Sequence, residues 1–225
     1  HSFRGANVAF NVSADVTHRV EQECTRHHAT LYMALLAAFG TVLSQNSRQE
    51  SVCIGSPYAG RDEVLTRGLV GYFVNILAMV VEGHSSSDTN GLLTSTRRTV
   101  LGAFEHSGVP FHRMVEALKV ERDASRTPVF QAMFVLQDGQ SDDEENGDGR
   151  EASDEGNGTS EEVAAAAAKF ELTLSTLSSN HGGLMVTLTY NVDLFDEVTA
   201  GRWSEQLCTG LRTADVKDCD VMPAS

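Results

Sequence analysis

The residues of this chain that could do chemistry are more telling for their spacing than for their number. Eight histidines are present, yet no two stand four apart and none belongs to a His-Glu-x-x-His run. No helix therefore presents a metal-binding pair. No Gly-x-Ser-x-Gly turn sets up a serine nucleophile. Gly147-Asp148-Gly149 lies in an acidic run rather than after a strand, which removes it as a dinucleotide loop. His27-His28 falls at the end of an amphipathic stretch, where imidazoles favourably face the last helix carbonyls. The residues alone give no catalytic site and no metal site.

Two polar groupings stand out from the apolar pattern. Asn75 lies inside an apolar run, and a side-chain amide left unpaired there costs ~1–3 kcal/mol. It either ties down a neighbouring loop or lines a cavity. Arg122, Asp123 and Arg126 fall within five residues. They form either a solvated surface cluster worth under ~1 kcal/mol or an ion-pair lattice fixing a loop. Pro128 favours an extended, ordered segment at this point and tilts the reading to the lattice.

The elements that position these groups follow from periodicity. Val8, Phe10 and Val12 alternate as a strand over 6–12. A helix follows Ser13 or Asp15 with Val16, Val20 and Cys24 on one face, and Thr30 caps a second carrying Leu31, Leu35, Phe39 and Val42. Val52-Cys53-Ile54 is a short strand ending at Gly55-Ser56-Pro57, and Gly60-Arg61-Asp62 marks a loop. The nearly continuous apolar run Leu69 to Val81 predicts a strand covered on both faces. A long helix starts near Ser87-Asp88 with Leu93, the Arg97 stem, Val100 and Phe104 along one side. Pro110 suits the first position of a short helix bearing Phe111, Met114, Val115 and Leu118. Val129 to Gln137 is a further strand with Phe130, Ala132, Phe134 and Leu136 on one face. Phe170, Leu172 and Leu174, then Leu184, Val186, Leu188 and Tyr190 about Gly182-Gly183, predict paired strands. Phe195 to about Arg212 is a last helix. Mixed strands and helices without strict alternation imply an α/β fold with a mixed sheet flanked by helices.

Composition sets the outer limits. The chain has 225 residues, 41% hydrophobic, with ten Phe and a net charge of -14. Between Asp138 and Glu162 eleven acidic residues and one Arg carry -10, leaving -4 elsewhere. Residues 139–168 form an acidic insert expected to be disordered, although Ala164–Ala168 could add a helical turn. No basic patch suggests nucleic acid, and no run approaches the roughly 18 apolar residues of a membrane helix. Four dispersed cysteines read as reduced thiols in the cytosol. The sequons at Asn11 and Asn157 are taken as chance matches. The opening His1-Ser2-Phe3-Arg4 has no signal peptide and reads as a piece of a longer polypeptide.

Three stretches carry a resemblance: Gly71, Phe73, Val74 and Asn75; His106, Pro110 and Phe111; and Arg122, Asp123, Ser125, Arg126 and Pro128. With Gly55-Ser56-Pro57, Gly60-Arg61, Lys169-Phe170-Glu171-Leu172 and Tyr190-Asn191, they resemble the second half of the condensation domains of nonribosomal peptide synthetases. Ser107 and Gly108 depart from the usual Gln and Asp, His112 from Glu, Val80 from Arg and Thr127 from Asn.

The resemblance implies one lobe of a chloramphenicol acetyltransferase-like two-lobe fold: residues 1–212 as the C-terminal lobe, 213–225 as a frayed tail. It further implies amide formation between carrier-bound thioesters, with the His-His-x-x-x-Asp-Gly motif in the missing N-terminal lobe. His27-His28 does not supply that motif, since positions 32 and 33 are Tyr and Met. This lobe would supply tunnel wall and latch through Gly71, Phe73, Asn75, His106, Pro110 and Phe111. Arg61, Arg122, Asp123, Ser125, Arg126 and Pro128 would act as structural support. The implied partners are the N-terminal lobe, donor and acceptor peptidyl carrier domains and an adenylation domain in cis. No cofactor would bind directly, the 4'-phosphopantetheine arms arriving on the carriers. A non-catalytic interaction module and a stand-alone acyltransferase are the rival readings.

Overall fold

A computed structural model describes residues 3–60, 69, 71–83, 89–120, 123, 126–137, 168–179 and 182–211, with the backbone of 219–222. Arg61, Arg122 and Ser125 lie outside the described residues, as does the acidic insert apart from Ala168. Ala168, counted in that insert, is instead buried, and its amide donates to the Phe3 carbonyl at 2.9 Å.

The strands are β1 (Gly5–Val12), β2 (Ser51–Tyr58), β3 (Asn75–Glu82), β4 (Ala132–Gln137), β5 (Leu172–Ser178), β6 (Leu184–Asn191) and β7 (Cys219–Met222). The helices are α1 (Ala14–Arg26), α2 (Leu31–Ser47), α3 (Thr89–Glu105), α4 (Phe111–Leu118) and α5 (Glu197–Leu211). One mixed sheet runs in the order β3-β2-β4-β5-β6-β1-β7. β4 lies parallel to both β2 and β5, while every other pair is antiparallel. The expected tail therefore includes an edge strand, Cys219 opposite Val12 and Met222 opposite Ala9.

Local sequence explains the helix boundaries. Ser13 Oγ accepts from Val16 N at 3.4 Å, and Thr30 Oγ1 accepts from Met33 N at 3.3 Å, so Thr30 caps as expected and, of Ser13 and Asp15, it is Ser13 that starts α1. α2 is buried nearly all round, and Leu35, Leu36 and Phe39 pack on inward residues of the sheet such as Phe10, Ile54, Met79 and Phe134. Val16 of α1, Val100 of α3 and Leu207 of α5 join the same core. One sheet face is thus closed by helices.

Three expectations about the elements change, two for strands and one for a helix. Among the described residues the Leu69–Val81 run forms a strand only from Asn75, and β3 stands at the end of the sheet beside β2. Leu77, Met79 and Val81 are buried while Val80 is half exposed. The run looks continuous because its outward residues Ile76, Ala78 and Val80 are also apolar, a pattern that sequence alone cannot tell from two-sided burial. Second, β4 begins at Ala132. Val129 has a left-handed φ of 76°, uncommon for a β-branched residue, and this breaks the strand before Phe130 can share the Phe134 face. Third, Pro110 is the N-cap of α4 rather than its first turn, with ψ 140°, and none of the α4 residues is fully buried.

Candidate functional site

Asn75 brings two of the sequence motifs together. It opens β3 opposite Tyr58. Its Nδ2 donates to the carbonyls of Ser107 (2.9 Å) and Val109 (2.8 Å). Its Oδ1 accepts from its neighbour Ile76 N (2.9 Å) and from Phe111 N (3.2 Å). Both amide protons and both lone pairs are therefore used. Pro110 has no side chain that can cap α4, and Asn75 supplies the missing oxygen from across the fold. Of the two readings left open by the sequence, the bonds show the loop tie.

Glycine makes the close approaches possible. Gly60 has φ +64°, and a Cβ there would stand 2.3 Å from the Phe73 carbonyl oxygen. A Cβ on Gly55 would strike the Phe130 ring at 2.3 Å. Gly55 points away from the helix-covered side, so Phe130 lies on the other face of the sheet. There its ring meets Phe111 (5.5 Å between centroids) and Phe170 (5.6 Å). Phe111 and Phe170 come from two of the resembling stretches and Phe130 from the segment just before β4, and together they tie α4 and the segments before β4 and β5 to that face.

His106 is placed differently. Its Nδ1 lies 2.8 Å from the Gly102 carbonyl, where only a protonated nitrogen can bond, so it closes the last turn of α3. Of the charged grouping, Arg126 Nε pairs with Asp123 Oδ2 at 2.9 Å, with both side chains largely exposed. Pro128 supplies the carbonyl that accepts from Phe130 N at 3.0 Å. Gly71 carries the Phe73 ring close against it. His27 bonds Glu23 at 3.1 Å at the end of α1.

The same sheet face holds a groove of about 610 Å³. Its floor is a ladder of hydroxyls that single-motif reasoning missed. Thr173 stands opposite Thr189 and Ser175 opposite Thr187, all four lining the groove, while their neighbours Leu172, Leu174, Val186 and Leu188 point into the core. Met133, Val135 and Met185 give it apolar walls, and Lys169 is the one charged residue of the described lining. The strand alternation carried this signal, since an amphipathic pair of strands has a polar face as surely as an apolar one. Nothing in the described part of the groove is positioned as a proton acceptor. Among the described residues no three His, Cys, Asp or Glu side chains stand close enough to hold a metal, and no helix is long and apolar enough to cross a membrane.

This architecture is that of solved condensation-type domains. The condensation domain of the Monacolin K polyketide synthase MokA matches with a TM-score of 0.74 at 18% identity, over 94% of this chain and 47% of that one. An X-domain from teicoplanin biosynthesis, solved in complex with OxyB, gives 0.74 at 19% identity, covering 93% and 45%. At these identities the match defines a class of fold, the chloramphenicol acetyltransferase-like mixed sheet.

The sequence itself goes further. Malpinin synthetase of Mortierella alpina is 38% identical over 201 residues, which is 89% of this chain and 2% of the relative. A linear gramicidin synthase of Brevibacillus parabrevis is 33% identical over 204 residues, 91% and 4%. The condensation domain family matches residues 1–221, and the chain belongs to it. It spans a small fraction of these relatives and a little under half of the two solved chains.

Proposed function

We propose that this chain is the C-terminal lobe of a condensation domain in a nonribosomal peptide synthetase. The complete domain joins two carrier-bound aminoacyl or peptidyl thioesters. In that reaction the acceptor amine forms a C–N bond at the donor carbonyl, the C–S bond breaks, and the carrier arm leaves as a thiol. The amine proton passes through a base, the histidine motif of the N-terminal lobe. This lobe's share is position, which is a large part of the rate when two reactants must be held together.

The observation that carries the reading is the Asn75 tie. It holds two family motifs beside a sheet face whose groove offers hydroxyl donors and acceptors and apolar walls. The guanidinium of Arg126 stays protonated and cannot serve as the base. Gly71, Phe73, Asn75, His106, Pro110 and Phe111 are then wall and support, with Asp123, Arg126 and Pro128 as outer support. The phosphopantetheine arms arrive on donor and acceptor carrier domains, with an adenylation domain in the same polypeptide, in the cytoplasm.

A second reading, a non-catalytic lobe that binds a partner protein, is favoured by the likeness to the X-domain solved with OxyB. The coding sequence upstream of residue 1 separates the two. A His-His-x-x-x-Asp-Gly motif there supports amide formation. A first lobe without it supports the interaction module.

A further inference from the structure

β2 has the Asn75 junction at one end and a second cavity, of about 570 Å³, at the other. This cavity lies between the last turn of α2, the starts of β2, β4 and β5, and α5. Its walls include Leu43, Val52 and Leu172, and two rings, Phe195 and Trp203, that meet edge to face at 5.0 Å. Asn46, Gln49 and Gln131 add neutral polar groups. Among the described residues only two ionisable side chains line it, Cys53 and Glu171. Burial pushes the Cys53 thiol up to about 11, so it is neutral at physiological pH. Glu171 is left as the one anion, and no Lys or Arg shares the described lining.

A carboxylate, two aromatic rings and apolar walls, with no cation in the described lining itself, make a setting that selects positive charge on an apolar body. Burial raises the Glu171 carboxyl above its usual range, and nearby Arg126 opposes that rise from outside the lining while also pairing with Asp123. We propose that this cavity binds a small organic ammonium ion, its charge paired with Glu171 and its apolar body against Trp203 and Phe195. The site is separate from the amide-forming groove and does not depend on that reading.

Trp203 is the only tryptophan of the chain and lines this cavity, so emission changes come from this one wall residue. The full 225-residue chain is titrated with 2-phenylethylammonium and, separately, with uncharged 2-phenylethanol. The expected result is a saturable emission change with the ammonium binding about tenfold more tightly than the alcohol. Glu171→Gln should erase that preference while keeping a cooperative thermal transition. Arg126→Ala, which removes the competing cation, should strengthen ammonium binding and covers the case in which Glu171→Gln fails to fold. Equal or non-saturating responses to the two probes, a preference that survives Glu171→Gln, or no change in Arg126→Ala would overturn the proposal.

Discussion

The two faces of the sheet are made by the same strands and obey different rules. Toward the helices, Phe10, Ile54, Met79, Phe134, Leu174 and Leu188 are almost wholly buried and interlock with α2, α3 and α5. On the other face the same strands show Thr173, Ser175, Thr187 and Thr189, with Met185 and Val80 substantially exposed. Even the aromatic residues divide. Phe134 is core, while Phe130, which follows the left-handed Val129 and packs on Gly55, joins Phe111 and Phe170 on the opposite side. One face is therefore packed as core, and the other carries the hydroxyl-lined groove.

If that division is right, substitutions should sort by face. The largest loss of stability is expected for Phe134→Ala, about 3–5 kcal/mol by chemical denaturation. A loss below ~1 kcal/mol would mean that the helix-covered face is not the structural one. Chemical labelling gives the next largest effect. Burial, aided by Glu21 and Glu23 at Cys24, pushes the thiols of Cys24 and Cys53 from 9.0 to about 11. At pH 8 their thiolate fraction in the folded chain should be about a hundredfold below that of the unfolded chain, measured by iodoacetamide rates. Because the raised pKa belongs to the folded state, these thiols favour folding below about pH 9 and that contribution is lost as pH rises through about 11.

Asn75→Ala comes third, at about 1–3 kcal/mol, since it strips the α4 cap and strands two carbonyls. Exposure of α4 to proteolysis should rise with it, and unchanged protection would sever the link between β3 and the His106–Phe111 segment. The smallest effects belong to the polar face and the surface. Thr187→Val should stay within about 0.5 kcal/mol yet lower turnover in the complete two-lobe domain. Asp123→Asn should cost under ~1 kcal/mol, because its partner Arg126 and the carboxylate are both well exposed. A larger loss would mark a buried lattice.

How much of this was legible in the sequence depends on how local the cause is. A helix start at Ser13 or Asp15, the Thr30 cap and the Gly182-Gly183 hairpin are set within a few residues, and each is found where its spacing places it. The start of β3 and the side taken by Phe130 were not legible. The first depends on which neighbours the strand has, the second on an unusual backbone angle at Val129. The strand Cys219–Met222 is short and depends on β1, far away in sequence. At the site, Asn75 announced itself as a polar residue in an apolar run, but its partners Ser107, Val109 and Phe111 are more than thirty residues away. The Glu171–Trp203 cavity gave no signal at all, because no motif joins residues that only the fold brings together.

The central claim is that this lobe positions and does not itself catalyse. It is tested by supplying the isolated chain with two loaded carrier proteins and following amide formation, then repeating the assay with the N-terminal lobe added. The account predicts background rates for the chain alone and amide product only when both lobes are present. Turnover by the chain alone, abolished by His106→Ala, would contradict it and place a reacting base within these residues.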